Sequence, residues 1–379
     1  MSRAGEYVNN LSGEMAYKSF KPSPLPPFPP LAIDEQLLSN LLGATKEIAI
    51  LDGMAKRIPN MDLFVSMYVR KEALLSSQIE GTQCTLDDVL NPLAAENANR
   101  DVSDVINYIK ATEYAIKRLS ELPLCARLIK ETHGVLMEGV RGQEKNPGEF
   151  RSSQNWIGGS GSVLRNARYI PPNVEDMTAA ISELEKFIHS DTELDPLICA
   201  ALIHYQFETI HPFLDGNGRV GRLLITLYLM EKKVLSTPAL YISYFLKKNR
   251  IEYYDRMTEV RRSGNFEQWV NFFLLALSEA ASDAICAIDE LTALHSANLA
   301  KLQGASRATP TLRTLFTYLE TNPIIEVGKT AETLGMAYNT AARAIKTMEE
   351  LGILTLSGKA ARTKLYSYES YLAILRRDT

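Results

Sequence analysis

The chain has 379 residues, of which 46% are apolar and 23% are charged, and its formal net charge is -4. A chain of this length and composition can bury sizeable cores in two or three domains. Its slightly acidic balance excludes a protein built as a whole to coat nucleic acid, although it leaves room for a local basic patch. Any partner must therefore be argued from particular sites.

Cysteine usage and the first residues indicate the compartment. The four cysteines lie far apart with no C-x-x-C pair, which favours reduced thiols over a zinc site or a disulfide framework. They are Cys84, Cys125, Cys199 and Cys286. The opening MSRAGEYVNN lacks a signal pattern, and no apolar run approaches the roughly 20 residues that span a bilayer. We therefore expect a cytoplasmic location and no membrane partner.

The N-terminal region begins with a proline-rich arm. Residues 19–31 read SFKPSPLPPFPPL, and their prolines oppose both helix and sheet ladders. This composition predicts an extended strap docked on the domain, with a proline-motif ligand for another protein as the alternative. Asp34 then has the position of a helix N-cap, after which apolar residues recur at helical spacing.

Residues 61–80 predict a helix that ends at Gly81, a residue suited to the position just past a helix. Glu80 therefore lies in the last turn, where a carboxylate faces the negative end of the helix dipole at a cost of up to about 1 kcal/mol. Either a partner cation offsets this unfavourable interaction, or the side chain of Glu80 lies at the surface. Local sequence alone favours the surface.

Helical patterns continue through 101–139, 174–189 and 265–300, but residues 146–172 differ from them. This stretch is rich in Gly, Ser and Asn and ends in Pro171-Pro172. It predicts a hairpin or flap between helices, with an ordinary surface loop as the alternative.

The C-terminal tail forms its own unit after a break at 304–310. Residues 311–379 give a helix, a short helix, a second helix capped by Asn339, and a hairpin over 353–368. That order resembles a winged helix-turn-helix. If the unit binds DNA, the contacts would fall on Arg343, Lys346, Lys359, Arg362 and Lys364. A dimerisation or packing module is the alternative.

The strongest motif is HPFLDGNGRVGR, residues 211–222, which lies between two helical patterns. Pro212 ends the first helix at His211. Gly216 and Gly218 let the backbone turn and approach a ligand closely, and Asn217 can cap the second helix. The order is therefore helix, tight loop, helix.

The chemistry of this loop suits a phosphate ligand. The first N–H groups of the second helix lack internal partners and form an anion cradle, with Arg219 and Arg222 beside it. Asp215 supplies a hard oxygen ligand of the kind that magnesium requires. His211 is then a base next to a phosphate site, able to take a proton from an incoming hydroxyl.

Three competing interpretations fail. GNGRVG, residues 216–221, fits the dinucleotide pattern G-x-G-x-x-G, but ETIHPFLD precedes it instead of a buried strand, and position 241 is Tyr instead of an acid. Neither H-R-D nor D-F-G occurs, which excludes a protein kinase. The spacing of His204 and His211 fits no usual zinc pattern.

The stretch 211–222 resembles the signature of the Fic family, and the match is complete. Residues 76–81, SSQIEG, are similar to the inhibitory motif of that family, in which a Ser or Thr stands four residues before a Glu. Its place N-terminal to the core is typical of a class II member. The resemblance covers roughly residues 15–300.

This resemblance implies a mainly α fold, with a Fic-type helical core, a β-hairpin flap and, here, the C-terminal winged helix-turn-helix domain. The implied domains are an N-terminal arm and inhibitory helical region at 1–105, a catalytic domain at 106–303 and the tail at 304–379. The implied activity is protein adenylyltransferase, which transfers AMP from ATP to a Ser, Thr or Tyr hydroxyl with magnesium (Mg2+) as cofactor.

The resemblance also assigns roles to residues. His211 is the general base, Asp215 holds the metal, and Phe213 packs the loop. The ATP site comprises Glu80, Gly216, Asn217, Gly218, Arg219, Gly221, Arg222, Asn249 and Tyr254. The inhibitory motif supplies Ser76, Glu80 and Gly81, and the flap that docks the target comprises Asn155, Trp156, Ile157 and Gly158.

Two other functions stay open. Glu80 could position water to remove AMP from a modified protein, which makes the enzyme bifunctional or reversed. Alternatively, the chain could be a nucleotide-sensing regulator that binds DNA through its tail. The expected partners are a protein substrate, which can be the chain itself, and ATP; the sequence leaves a homodimer open.

Overall fold

The computed structural model describes residues 2–13, 16–56, 61–93, 100–139, 145–159, 161–304, 310–360 and 363–377. Helices dominate these residues, and the strands form two small sheets. The mainly helical fold expected from the sequence is confirmed.

The N-terminal arm is a β-hairpin that continues into a docked strap. Strands β1 (Gly5–Asn10) and β2 (Tyr17–Pro22) pair antiparallel. The strap is held to the body of the protein, since Phe20 N–H donates to Ile170 O (3.0 Å) and Gln206 Nε2 to Ser23 O (2.9 Å). The expectation of a strap without sheet pairing was wrong for residues 19–22, because the first residues of the arm still carry N–H donors.

The first half of the chain supplies seven helices among the described residues. They are α1 (Glu35–Ala55), α2 (Met61–Ile79), α3 (Leu86–Leu90), α4 (Arg100–Leu119), α5 (Ala126–Leu136), α6 (Val174–Ile188) and α7 (Pro196–Ile210). Asp34 caps α1 as expected, because its side chain accepts the N–H of Leu37. Helix α2 has the predicted extent to within a residue and ends just before Glu80.

Four further helices complete the core: α8 (Asn217–Glu231), α9 (Ser243–Lys248), α10 (Arg250–Ser263) and α11 (Phe266–Gly304). Helix α7 lies at the centre, where every residue from Leu197 to Ile210 is buried. The buried Trp269 of α11 donates its indole N–H to Ala201 O of α7 (2.8 Å). Helix α11 is long and apolar enough to cross a membrane, but more than half of its most apolar stretch is buried, as in a core helix.

The tail contains α12 (Pro310–Leu319), β3 (Ile324–Glu326), α13 (Val327–Thr333), α14 (Tyr338–Glu350), β4 (Thr355–Ala360), β5 (Thr363–Ser367) and α15 (Glu369–Leu375). The sheet order is β3-β5-β4, with both pairs antiparallel. This element order agrees with the expected one, while the assignment as a winged helix-turn-helix and the three domain boundaries stay predictions. Residues 305–309 of the expected break lie outside the described residues.

One helix cap in the tail was predicted wrongly. Helix α14 begins at Tyr338 with Ala337 as its N-cap, so Asn339 lies inside the first turn. On the same helix Arg343 and Lys346 are exposed, as is Lys364 on β5. Arg362 and the side chain of Lys359 lie outside the described residues.

The tail packs against the region that carries the inhibitory motif. Arg70 of α2 donates from Nη1 to Thr321 O (2.8 Å). Arg376 forms two hydrogen bonds to the carboxylate of Asp87 on α3, both 2.8 Å long. Helix α2 therefore contacts the tail near its middle and reaches the sequence motif of residues 211–222 at its end.

Candidate active site

His211 lies at the C-terminal end of α7 in an unusual backbone conformation. The helix ends at Ile210 as predicted, and His211 follows it with φ 50 and ψ 61, in the left-handed region. A residue before proline usually adopts an extended conformation, and a left-handed non-glycine residue costs of the order of 1 kcal/mol. Surrounding contacts must therefore hold this residue in place.

The loop after His211 is fixed by side chains that fold back on it. Phe213 is buried and stacks on the ring of His133, with centroids 3.7 Å apart and planes within 5°. Asn217 accepts the N–H of Phe213 and donates to its carbonyl, both at 2.8 Å. The expectation that Asn217 caps α8 was wrong, because Gly216, with φ 76, is the N-cap and Asn217 is the first helical residue.

The beginning of α8 forms the expected anion cradle. The N–H groups of its first turn have no acceptor inside the helix, and the positive end of the helix dipole lies there. Arg219 is buried beside it, with Nη2 3.9 Å from Asp215 Oδ1. Gly218 leaves the approach open to a ligand, since it carries no side chain. The loop can therefore bind a phosphate group.

The guanidinium of Arg222 holds the segment 76–81. This buried group donates from Nη2 to Glu80 Oε1 (2.7 Å) and to Ser76 O (2.9 Å), and from Nε to Ser76 Oγ (2.8 Å). The side chain of Arg222 is 1% exposed, whereas that of Glu80 is 38% exposed. Gly81 follows with φ +102, which only glycine adopts readily. Arg222 is therefore the partner cation of Glu80 that the sequence left open, although Glu80 also reaches the surface.

Glu80 occupies space that belongs to the anion cradle. A Cβ atom at position 218 would lie 2.1 Å from Glu80 Oε1, so the carboxylate rests directly on the first turn of α8. At Gly221, on the next turn, the corresponding atom would lie 2.3 Å from Glu208 Oε1. Both glycines are thus required by close approach of a carboxylate.

His211 is neutral over the physiological range. Burial lowers its pKa to about 4, while the charge of Glu80 and the carbonyl of Glu208 act in the opposite direction. The charges of Arg151 and Arg261 lower it further. The sequence predicted an ordinary histidine base, but this pKa makes His211 a weaker base that is always ready to accept a proton.

Asp215 is the candidate metal ligand. Its Oδ1 accepts the N–H of Gly216 (2.7 Å) and its Oδ2 pairs with Lys145 Nζ (2.8 Å). Burial is the largest single influence and raises the carboxyl pKa, but the hydrogen bond and charge of Lys145, the charge of Arg219 and the N–H of Gly216 together lower the net pKa. A half-buried, ionised carboxylate fits Mg2+, which is commonly held by one or two carboxylates together with substrate phosphates and water. Among the described residues, no cluster of three or more His, Cys, Asp or Glu could hold a metal alone.

The flap is defined as residues 146–172. Ile157 and Tyr169 exchange N–H···O bonds of 2.8 and 3.0 Å, so the expected hairpin consists of a single antiparallel bridge. Beyond it Trp156 is 41% exposed, and at Gly158 a Cβ atom would lie 2.3 Å from Ser162 Oγ. Trp156 and Gly158 are exposed and Ile157 is partly buried against the core, and their role in target docking stays a prediction.

Asn155 was assigned to target docking, but the structure directs it inward. Its side chain is buried, and Nδ2 donates to Phe213 O (2.9 Å) and to His211 O (3.2 Å). These contacts hold the loop after His211, and a role of Asn155 in target docking stays a prediction.

Asn249 and Tyr254, which the resemblance assigns to the nucleoside, lie at the end of α9 and on α10, and that role stays a prediction. Asn249 ends α9, and its Nδ2 donates to Phe245 O (3.0 Å). Burial raises the pKa of Tyr254 to about 12, and the charges of Glu80 and Arg222 also act on it. Tyr254 therefore borders the inhibitory pair, while Asn249 borders an open groove of about 930 Å³ that Lys247 and Gln268 also line.

Sequence reasoning missed four residues of the site: His133, Lys145, Arg151 and Glu208. His133 lies with Nε2 3.1 Å from Asp215 O and accepts the N–H of Gly148 at Nδ1. Burial raises the pKa of Glu208 to about 7 behind Arg222. The one signal available in the sequence was a polar residue on an otherwise apolar helix face. Such a residue does not reveal which distant part of the chain it contacts.

Comparison with known proteins agrees with this geometry. Residues 38–117 match the family described as Fic/DOC family N-terminal, and residues 123–229 match the Fic/DOC family. The protein adenylyltransferase Fic of Drosophila erecta is 31% identical over 202 residues, which cover 51% of this chain and 37% of that protein. For the protein of the same name from Drosophila melanogaster the identity is 30%, with the same coverage. The chain thus spans little more than a third of the length of these relatives.

Solved structures show the same fold. A Fic family protein from Desulfovibrio desulfuricans G20 superposes with a TM-score of 0.57 and 19% identity, covering 89% of this chain and 97% of that one. A Fic domain containing signaling protein from Bacteroides thetaiotaomicron superposes with a TM-score of 0.50 and 19% identity. The match covers 65% of this chain and 94% of that one. The fold and the loop between α7 and α8 define a Fic-type protein. The chain carries a Fic/DOC family N-terminal region followed by a Fic/DOC family region.

The metal assignment predicts opposite effects of two substitutions. Lys145→Met should tighten Mg2+ binding to the complex with a non-hydrolysable ATP analogue by roughly two- to fivefold, since a partly exposed ion pair is worth up to about 1 kcal/mol. Asp215→Ala should abolish most of that binding and leave low, magnesium-insensitive activity. Titration calorimetry measures the affinities, and Lys130→Met, which breaks the nearby Lys130–Glu149 pair, is the matched control. Unchanged metal affinity in Asp215→Ala would place the ligand elsewhere.

Proposed function

We propose that the protein transfers AMP from ATP to a hydroxyl group of a protein, and that Glu80 restrains this activity. The observation that carries the proposal is the arrangement around α8: a neutral histidine and a buried arginine face one anion cradle, and an internal carboxylate partly fills it. The relatives named protein adenylyltransferase Fic support the same reaction.

The reaction follows from the positions of these groups. The phosphates of ATP bind at the N–H groups of the first turn of α8, with Arg219 and Arg222 as cationic partners. His211 takes the proton of the target hydroxyl, whose oxygen attacks the α-phosphorus. The bond to the oxygen that bridges the α- and β-phosphates breaks, and pyrophosphate leaves with the electron pair. No covalent intermediate with the enzyme is needed.

The metal would be held by Asp215 together with phosphate oxygens and water. When bound, Mg2+ neutralises phosphate charge that develops as the bond to pyrophosphate breaks. Lys145 has to leave Asp215 for this ligand to become available.

Inhibition follows from competition for one arginine. The guanidinium that holds Glu80 is also the partner expected for the γ-phosphate, and it cannot serve both anions fully. With Glu80 in place the phosphates would sit out of line for attack, and a displacement of about 1 Å can cost on the order of a hundredfold in rate.

Two further parts of this proposal concern AMP removal and the compartment. Glu80 can also orient water toward an AMP group, which would make the enzyme bifunctional. A cytoplasmic location fits a protein substrate of the same compartment, and the chain itself is its nearest substrate.

Substitution of the base should separate catalysis from binding. His211→Ala is expected to abolish transfer, because the base is lost, while ATP affinity stays within about threefold, because the cradle consists of backbone and arginine groups. Transfer of labelled AMP and equilibrium binding of ATP measure the two effects. A loss of binding as large as the loss of rate would refute this role.

Removal of the inhibitory carboxylate should raise activity. We expect Glu80→Gly to increase self-modification and target transfer roughly tenfold or more, and Arg222→Ala added to it to restore low activity because the phosphate clamp is gone. Glu138→Gly, at a carboxylate outside the cradle, is the control for loss of charge. An unchanged rate in folded Glu80→Gly contradicts inhibition. Loss of AMP removal from a pre-modified target in that variant would favour the bifunctional enzyme.

The tail supports a second function, DNA binding, through its exposed cations. Arg343 and Lys346 lie three residues apart on one face of α14, and Lys364 is exposed on β5. If they contact phosphates, the salt dependence of DNA binding by the full chain should fall by about one unit of slope for each cation replaced by Gln. DNA binding that is absent, or insensitive to these replacements, leaves a packing or dimerisation role for the tail.

A further inference from the structure

The backbone of His211 is held by two buried side chains from the base of the flap. Arg151 donates from Nε to His211 O (3.0 Å), and its own N–H donates to Pro212 O (2.9 Å). Asn155 Nδ2 also donates to His211 O (3.2 Å). The carbonyl of the left-handed residue thus accepts from two side chains, which compensates the strain of that conformation.

The same arginine spans both stems of the flap. Nη1 of Arg151 donates to Ser153 O (3.2 Å) on the entering stem, and Nη2 to Pro172 O (2.6 Å) on the leaving stem. The side chain is 2% exposed, and burial lowers its pKa to about 10. A fork of donors in fixed geometry is a property of arginine that lysine lacks.

A second contact joins the flap to the same end of α7. Tyr169, the bridge partner of Ile157, donates its hydroxyl to Thr209 O (2.7 Å), two residues before His211. The guanidinium of Arg261 lies 3.9 Å from the centre of its ring. The closing bridge of the flap and the catalytic histidine are therefore held by one continuous set of buried contacts.

We propose that Arg151 and Asn155 are positioning residues, which fix the backbone of His211 and couple it to the flap. This inference rests on the proposed function, because it assigns the flap to the target. Target docking on the flap then acts on the placement of the base, so these residues govern turnover and leave nucleotide binding nearly untouched. Neither side chain touches the reacting atoms.

The test compares two substitutions of Arg151 in the Glu80→Gly protein. Arg151→Lys keeps the charge and loses the fork, whereas Arg151→Gln loses both. We expect kcat for target transfer to fall at least about tenfold in each, with the Kd of ATP within about threefold, because misplacement of the base affects only the chemical step. Arg127→Gln, at an exposed arginine of α5, is the control.

The pH dependence distinguishes positioning from a general loss of structure. Burial is the main cause of the low pKa of His211 and persists in both variants, and the positive charge of Arg151 lowers that pKa further. Arg151→Gln should therefore raise the pKa above that of the Glu80→Gly parent, and Arg151→Lys should leave it near the parent value. Histidine NMR, with the His211 signal identified by its loss in His211→Ala, measures this without any activity.

Each outcome decides the inference. It is refuted if both Arg151 variants keep kcat, or if ATP binding falls as much as kcat. If the Arg151 variants do not fold, Asn155→Ala removes the second donor to His211 O with a smaller change and must still lower kcat with ATP binding retained. If the Glu80→Gly parent transfers no AMP, the proposed function fails, and an unmoved His211 pKa in Arg151→Gln would separately overturn the coupling.

Discussion

The buried guanidinium of Arg222 is the constraint on which this site depends. A charge that is removed from water needs an anionic or hydrogen-bonding partner, because its desolvation is otherwise costly. In the structure Glu80, Ser76 Oγ and Ser76 O supply those partners together. Release of Glu80 would leave the cation underpaired, and in the proposed function the phosphates of ATP would take the place of that carboxylate. Glycine at 218 and 221 allows carboxylates to approach this helix face closely.

A rigid site also requires a fixed histidine, and here the fixing groups come from a distant segment. Helix α7 ends because Pro212 follows His211, but the proline alone does not determine which non-helical conformation His211 adopts. The left-handed geometry is stabilised by Arg151, which is 60 residues away in sequence. Local sequence thus sets where the helix stops, and long-range hydrogen bonds set how the catalytic residue points.

The difference between local sequence effects and long-range contacts explains what the sequence could and could not predict. Residues 211–222 are informative because the turn, the cradle and the cations lie within a single loop, where spacing alone determines their proximity. The electrostatic misfit of Glu80 at a helix end left a partner cation as one of two possibilities, and the structure supplies Arg222 as that cation. The helix-cap assignment of Asn217 was wrong and the contact of Asn155 with the loop was missed, since an amide can face either way until its partners are known. Lys145 and His133 were missed because their partner, Asp215, is 70 and 82 residues away.

Helix α2 connects this site to the tail. Its last turns hold Ser76 against Arg222, Glu80 follows them directly, and ten residues earlier Arg70 donates to the tail at Thr321 O. Ten residues of helix span about 15 Å and behave as one rigid element on this scale. The backbone of α2 cannot move away from Arg222 without also changing the geometry at Arg70, unless the helix bends or Glu80 leaves by side-chain rotation alone. Because Glu80 is attached just beyond the last helical residue, next to Gly81 at φ +102, a local change at this end requires the least disturbance. The structure therefore favours release of the carboxylate at the helix end over displacement of the whole helix.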